Sequence, residues 1–125
     1  MFDRLDARSP TPLYAQIAEA VRLAIAGGEL AAGEALPSVR QLASQLRVNP
    51  ATVVQAYRDL EREGFVVMRQ GAGSFVNDAI PERPARERAA LARKLVRQMV
   101  QEALKAGLSA RDLRAAIDAE LETTT

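Results

Sequence analysis

Four arginines, Arg40, Arg47, Arg58 and Arg69, lie in two stretches without a carboxylate, Ala35 to Arg58 and Gly64 to Asn77. A guanidinium that no carboxylate occupies can clamp an anionic oxygen through charge-assisted hydrogen bonds. Between Arg47 and Arg58 stand Asn49, Ala51, Thr52 and Gln55. A glutamine amide carries a donor and an acceptor side by side and can engage N6 and N7 of adenine together. Threonine and alanine methyls can meet the methyl of thymine. These residue types suit a surface that grips phosphates and reads base edges. The bland alternative is ordinary solvated surface, and the charge pattern alone does not decide between them.

The elements needed to position these side chains are legible nearby. Asn49 is a good N-cap, and Pro50 follows at the first helical position, where its missing N–H costs nothing. Val53, Ala56, Tyr57 and Leu60 then recur at three-four spacing and form an apolar face. Ala51, Gln55, Arg58 and Arg62 fall opposite, with Thr52 on the flank, and Gly64 is a natural stop. Upstream, Val39, Leu42, Ala43 and Leu46 stripe a shorter helix, with Ser38 and Gln41 matching a capping box. Only Arg47 and Val48 separate this helix from the Asn49 cap. So tight a join predicts a helix-turn-helix, whose second helix can enter a major groove. Phe65 to Gln70 reads as a strand, Gly71-Ala72-Gly73 as a turn, and Ser74 to Val76 as the returning strand. Helix-turn-helix plus hairpin is a winged helix.

Leu36-Pro-Ser-Val-Arg-Gln-Leu-Ala43, Val48-Asn-Pro-Ala-Thr-Val53, Ala56-Tyr57, Leu60-Glu61, Glu63-Gly64 and Gly71-Ala-Gly-Ser-Phe-Val76 together resemble the GntR family of bacterial transcription regulators. Pro12-Leu-Tyr14 and Gln16-Ile17 fit the same pattern, so the resemblance spans about Pro12 to Val76. The Asn-Pro-x-Thr-Val run with Ala-Tyr, on a short chain, is most similar to the YtrA-like subfamily. The MocR-like subfamily shares such a head but carries a large aminotransferase-like domain, for which this chain has no room. The resemblance implies a sequence-specific, double-stranded-DNA-binding regulator, a repressor, acting as a homodimer on a palindromic operator. It implies DNA contacts from Ser38, Arg40, Arg47, Asn49, Ala51, Thr52, Gln55, Arg58, Arg69, Gln70, Gly71 and Ala72. Tyr57 reads as core, with a hydroxyl that can emerge to touch a phosphate. Some relatives carry arginines where this chain has Pro50 and Val54, and a basic residue at Ala72. Their guanine contacts do not transfer, and the wing here is left with its backbone and Arg69.

Composition narrows the alternatives. The chain has 125 residues, 48% of them hydrophobic but only 4% aromatic, so its core must be aliphatic. With no cysteine and no histidine, disulfides, thiolate or imidazole metal sites and the commonest catalytic base are excluded. Asp59, Glu61 and Glu63 share a helix with Arg58 and Arg62 and read as surface ion pairs. There is no glycine-rich phosphate loop. No cofactor, metal or catalytic role is therefore expected. No run is long enough to span a membrane and Met1 to Pro12 lacks a signal-peptide core, so the expected location is the cytoplasm. The rival function is a winged helix that binds protein and not DNA.

The remaining segments frame this head. Met1 to Thr11 reads as an arm, with Phe2 and Leu5 available to pack. Leu13, Ile17, Ala20, Val21, Ala24 and Ile25 stripe a first helix, with Thr11 as a candidate cap and Gly27-Gly28 as its end. Glu29 to Pro37 is a connecting loop and Asn77 to Pro84 a linker. Ala85 to Ala106 is a long helix with the stripe Leu91, Leu95, Met99, Val100, Ala103 and Leu104, closed by Gly107. Ser109 with Asp112 resembles a capping box for a last helix lined by Leu108, Leu113, Ala116, Ile117 and Leu121, with Thr123 to Thr125 fraying. Two such helices cannot enclose a core, so their stripes need a partner, either the winged helix of the same chain or, the expected one, the same helices of a second copy. The expected fold is mainly α with a small β-hairpin. It has a winged helix-turn-helix over residues 1–78 and a two-helix dimerisation tail over 79–125. The expected interface is Leu91, Leu95, Met99, Val100, Leu104, Leu113 and Ile117. An effector is not identified by these residues.

Overall fold

A computed structural model describes residues 1–3 and 5–124. In order, the elements are α1 (Leu13–Ala26), α2 (Val39–Leu46), α3 (Pro50–Glu63), β1 (Val66–Arg69), β2 (Gly73–Val76), α4 (Ala85–Lys105) and α5 (Ala110–Thr124). The fold is mainly α with a two-stranded antiparallel hairpin, as the periodicities predict. The chain divides into two compact units, Met1–Pro81 and Glu82–Thr125.

In the first unit α3 is the hub, packing against α1, α2 and β1. Its stripe of Val53, Ala56, Tyr57 and Leu60 is buried, with Ile17, Val21 and Ile25 from α1 and Leu42 and Ala43 from α2. Ala18 joins them, although the expected α1 stripe omits it. Val39, Leu46, Phe2 and Leu5 pack on the margin of this core.

The hairpin pairs Val66 with Val76 and Arg69 with Gly73, and Val66 and Val76 are both buried. Two strands alone are marginal in water. Here the loop read only as a connection supplies a third edge. Leu36 N–H donates to the Ser74 carbonyl, Val76 N–H to Glu34 and Gly33 N–H to Val76, each at 2.9 Å. Ala35 forms the bridge to Phe75.

Thr11 does not cap α1: Pro12 occupies the N-cap with no side-chain bond. The Gln16 amide instead donates to the carbonyls of Asp6 and Thr11, at 2.8 Å each, and accepts from Asp6 N–H, pinning the arm. Glu63 is likewise not an in-helix partner. Arg22 of α1 donates to both its oxygens, at 2.9 and 2.6 Å, and to Glu19 at 3.0 Å. Burial opposes the Arg22 charge, but the Glu63 bonds and both carboxylates outweigh it and hold its pKa above the ordinary value.

In the second unit the Ser109–Asp112 capping box forms in both directions. Bonds from Ser109, its backbone N–H first, hold the Asp112 carboxyl below the usual carboxylate range. Helix α4 closes on Gly107 at φ 84°, where Leu108 N–H reaches the Ala103 carbonyl and Gly107 N–H that of Leu104. Such 6→1 and 5→2 bonds are a Schellman ending. Thr123 and Thr124 are helical, their hydroxyls donating to the Glu120 carbonyl, contrary to the expected fraying. Thr125 lies outside the described residues. Among those residues Ala103 is the only buried member of this unit.

Tyr57 anchors the start of α2. Its hydroxyl donates to the Pro37 carbonyl at 2.7 Å, and burial pushes its pKa from 10.0 up to about 12. A raised acid pKa stabilises the fold fully below the unfolded value and loses that stabilisation as pH climbs through the folded one. Tyr57→Phe is expected to lower unfolding stability by about 1 kcal/mol near neutrality. It should also flatten the decline in stability between pH 10 and 12, followed by urea denaturation. Equal stability and an equal alkaline slope in both proteins would show that the hydroxyl plays no such part.

Candidate nucleic-acid interface

The face of α3 turned away from the core is built by its two ends. The Asn49 side chain accepts from Ala51 N–H at 2.9 Å, and Pro50 opens the helix. At the far end Gly64, at φ 90°, lets Phe65 N–H return to the Leu60 carbonyl at 2.9 Å. With Val53, Ala56, Tyr57 and Leu60 buried, Ala51, Gln55 and Arg58 are exposed and Thr52 is half-buried. These four belong to one outward strip, as their spacing predicts.

Helix α2 presents Ser38 and Arg40 beside it. Gln41 N–H donates to the Ser38 hydroxyl and Ser38 N–H to the Gln41 side chain, both at 3.1 Å, so the capping box is complete. Ser38 therefore has a structural task, with its hydroxyl proton left over. Arg40 is exposed in the first turn. Arg47 sits in the turn at φ 57°, the only described non-glycine residue with positive φ. Val48 N–H donates to Ala43 at 3.0 Å and Arg47 N–H to Ser44 at 3.3 Å, another Schellman ending. That left-handed position sends the chain from α2 into α3, and here an arginine fills it.

Tyr57 takes the core position read for it: it is 4% exposed, and its hydroxyl proton is given to the Pro37 carbonyl, so the hydroxyl does not emerge as expected for a phosphate contact.

On the wing, Arg69, Gln70, Gly71 and Ala72 are all exposed, and Ala72 N–H closes the turn on Arg69 at 2.9 Å. The Arg69 guanidinium lies 4.7 Å from the centre of the Phe75 ring. Such stacking holds a cation in place without neutralising it. Among the described residues no salt bridge engages Arg40, Arg47, Arg58 or Arg69.

Two features went unnoticed in the sequence. Asp59 pairs with Arg62 at 2.7 Å, as expected of a surface ion pair, but it also accepts from the Gln55 amide at 3.0 Å, a bond not anticipated from the sequence. The spacings of four and three were the available signal. The Gln55 carbonyl oxygen and its second N–H lie outside this bond. The Arg69–Phe75 stack depends on hairpin register, which spacing alone does not specify.

Among the described residues no group of histidine, cysteine, aspartate or glutamate could hold a metal ion, and no helix is long and apolar enough to cross a membrane. In the tail, Leu91, Val100, Leu113 and Ile117 are half-buried, whereas Leu95, Met99 and Leu104 are exposed.

Residues 13–76 match the profile of bacterial regulatory proteins of the gntR family. The chain is similar to the HTH-type transcriptional repressor YtrA of Bacillus subtilis, with 32% identity over 84% of this chain and 81% of that protein. Its structure is similar to that of YtrA from Sulfolobus acidocaldarius, a GntR-family transcription factor. The TM-score is 0.60 and the identity 36%, over 84% of this chain and 99% of that one. The DNA-binding domain of AraR, solved in complex with operator ORX1, matches with a TM-score of 0.52 and 30% identity. That match covers 55% of this chain and 89% of the AraR chain.

The left-handed turn makes one outcome checkable without DNA. A side chain at such a φ costs roughly 1–2 kcal/mol, part of which glycine returns through its looser unfolded state. Arg47→Gly should therefore raise unfolding stability by about 0.5–1 kcal/mol, read from the urea midpoint at constant m-value. A lowered midpoint would mean that the arginine side chain contributes more than its backbone conformation costs.

Proposed function

The chain belongs to the GntR family of bacterial transcription regulators, in its YtrA-like group, and from that premise we propose that it represses transcription as a homodimer on an inverted-repeat operator in the cytoplasm. The observation that carries this reading is the outward strip of α3. It is exposed and flanked by cations that, among the described residues, no carboxylate neutralises. Phosphate contacts set the register of a protein on duplex, and base-edge contacts supply sequence preference. Arg40, Arg47 and Arg58 take the first role, with the free hydroxyl proton of Ser38. Ala51, Thr52 and Gln55 take the second at the N-terminal end of the recognition helix. Asn49 caps that helix and faces the same way. Arg69 and the backbone of Gln70, Gly71 and Ala72 approach the neighbouring sugar–phosphate. The work is binding, with no covalent bond made or broken.

Division of labour follows the proposed domains, a reading head over 1–78 and a pairing tail over 79–125. The exposure of Leu95, Met99 and Leu104 supports a second copy as their cover, since isolated helices do not keep such a stripe in water without a partner. Leu91, Val100, Leu113 and Ile117 would complete that interface. Two joined heads gain because the second docks as an intramolecular event. The named repressor YtrA of Bacillus subtilis supports the assignment of repression.

Selection from a random duplex pool, followed by gel shifts at several salt concentrations, tests the head. Arg40→Ala should weaken binding to all sequences alike and reduce the salt slope by about one unit. Gln55→Ala should relax preference at one symmetric pair of positions by roughly 1–3 kcal/mol per half-site. An unchanged motif for the second variant, or an unchanged slope for the first, removes the residue from its role. A wild-type chain that retains no duplex would favour the protein-binding rival.

Sedimentation tests the tail. Leu95→Asp with Met99→Asp would place unpaired charge in a pairing interface, which costs several kcal/mol for each buried charge. The expected product is a folded monomer that binds a half-site weakly and gains nothing from a palindrome. A double variant that still sediments as a dimer would place the interface elsewhere.

A further inference from the structure

The most cationic stretch of the chain lies outside the reading head. Residues 1–81 carry eight cationic and nine acidic side chains, a net of −1. Arg83 to Arg97 carry six cationic side chains and one acid, a net of +5. Within α4, Arg86, Arg93 and Arg97 stand seven and four residues apart, and Lys94 adjoins them. At 3.6 residues per turn the three arginines fall within about 40° around the helix. Leu91, Leu95 and Met99 centre about 180° away on the same wheel. A partner that covers the apolar stripe therefore leaves the basic one open.

Arg86, Arg93, Lys94 and Arg97 are all exposed, and among the described residues no salt bridge engages them. A solvated helix face usually mixes signs, because unlike charges three or four residues apart are stabilising. Here Arg93 and Lys94 are followed by Arg97 at those spacings, so the face repels itself until an anion arrives.

We propose that the Arg86–Arg93–Lys94–Arg97 face of α4 is a second DNA site, which holds backbone phosphates outside the base pairs read by α3. The proposal rests on the head's reading of an operator. Two observations select duplex as the occupant. The charge is complementary to a regular polyanion, and the helix is tethered to a DNA-reading head by a short linker. The eight residues from Asn77 to Pro84 span at most about 26 Å when extended. A head seated on duplex thus keeps this face at high local concentration near the flanking phosphates. Contacts of this kind carry no sequence information and add to the salt dependence.

The test uses the full chain and the duplex it selects from a random pool, trimmed to the selected core or extended by about 10 base pairs, one helical turn, on each side. The variant carries Arg86→Gln, Arg93→Gln, Lys94→Gln and Arg97→Gln, since glutamine keeps helix propensity. A companion carries Arg86→Lys, Arg93→Lys and Arg97→Lys. Wild type should bind the extended duplex more tightly than the core, and the glutamine variant should show no such gain. The slope of log K against log salt should fall by about 0.9 for each phosphate contact removed. The selected motif and the sedimentation of the variant should be unchanged, and the lysine companion should behave as wild type.

A chain that selects a motif yet shows equal slopes and equal gain from flanks in all three proteins overturns the α4 site alone. A wild-type chain that selects no motif overturns the head's reading and this site with it. If the four residues matter only for binding to phosphatidylserine–phosphatidylcholine vesicles, the face belongs to an anionic lipid surface and the proposal is wrong.

Discussion

Helix α3 can offer one face to a partner because its other face is the centre of the head's core. Val53, Ala56 and Leu60 are wholly buried, and Tyr57 nearly so. Contacts to α1, α2 and β1 hold the helix on three fronts. A recognition strip needs fixed side-chain positions, because ordering a loose one on binding would consume part of the affinity. The Arg22–Glu63 clamp joins α1 to the C-terminal turn of α3, and Tyr57 ties its middle to Pro37. The outward residues are thus positioned by contacts they do not themselves make.

Backbone bonds at the helix ends then decide which polar groups are left for recognition. Ser38 and Gln41 spend much of their capacity on each other, and Asn49 spends its acceptor on Ala51. Gln55 gives one N–H to Asp59, itself held by Arg62, and keeps its carbonyl oxygen. An amide fixed in this way presents a defined acceptor to whatever approaches. Among the described residues no salt bridge engages Arg40, Arg47, Arg58 or Arg69, unlike Arg22 and Arg62, which is why these four fit the role of anion clamps.

What was readable in the sequence was local. The caps at Ser38, Asn49 and Ser109, the glycine stop at Gly64 and the stripe of α3 all follow from spacings of four residues or fewer, and each is present. The family resemblance placed the same elements in the same order. What escaped joins distant segments or depends on register. The Arg22–Glu63 pair spans 41 residues, the Glu34–Leu36 edge meets a strand some forty positions on, and the Arg69–Phe75 stack needs the hairpin alignment. None of these leaves a period in the chain. The misplaced Thr11 cap has a similar cause: Gln16 engages the Thr11 carbonyl from the following helix and Pro12 takes the cap position. Of the candidate contact residues, only Tyr57 turns inward, because a phenol on a buried stripe finds a backbone carbonyl before it finds solvent.

Charge distribution sets a last constraint on how such a head can bind DNA. With a net of −1 over residues 1–81, long-range attraction to duplex is weak, and phosphate affinity must come from a few cations at short range. Exposed pairs separated by more than about 8–10 Å are screened at physiological salt. The acids of the head at Asp59, Glu61 and Glu63 follow the recognition strip toward the C-terminal end of α3, while Arg47 lies just before its N-terminus. A helix N-terminus is also the positive end of its dipole. The N-terminal end of α3 therefore favours an anion twice over, through Arg47 and through the backbone, and the acidic end disfavours one. A gradient of this kind along one helix favours an anion at one end without requiring a basic protein.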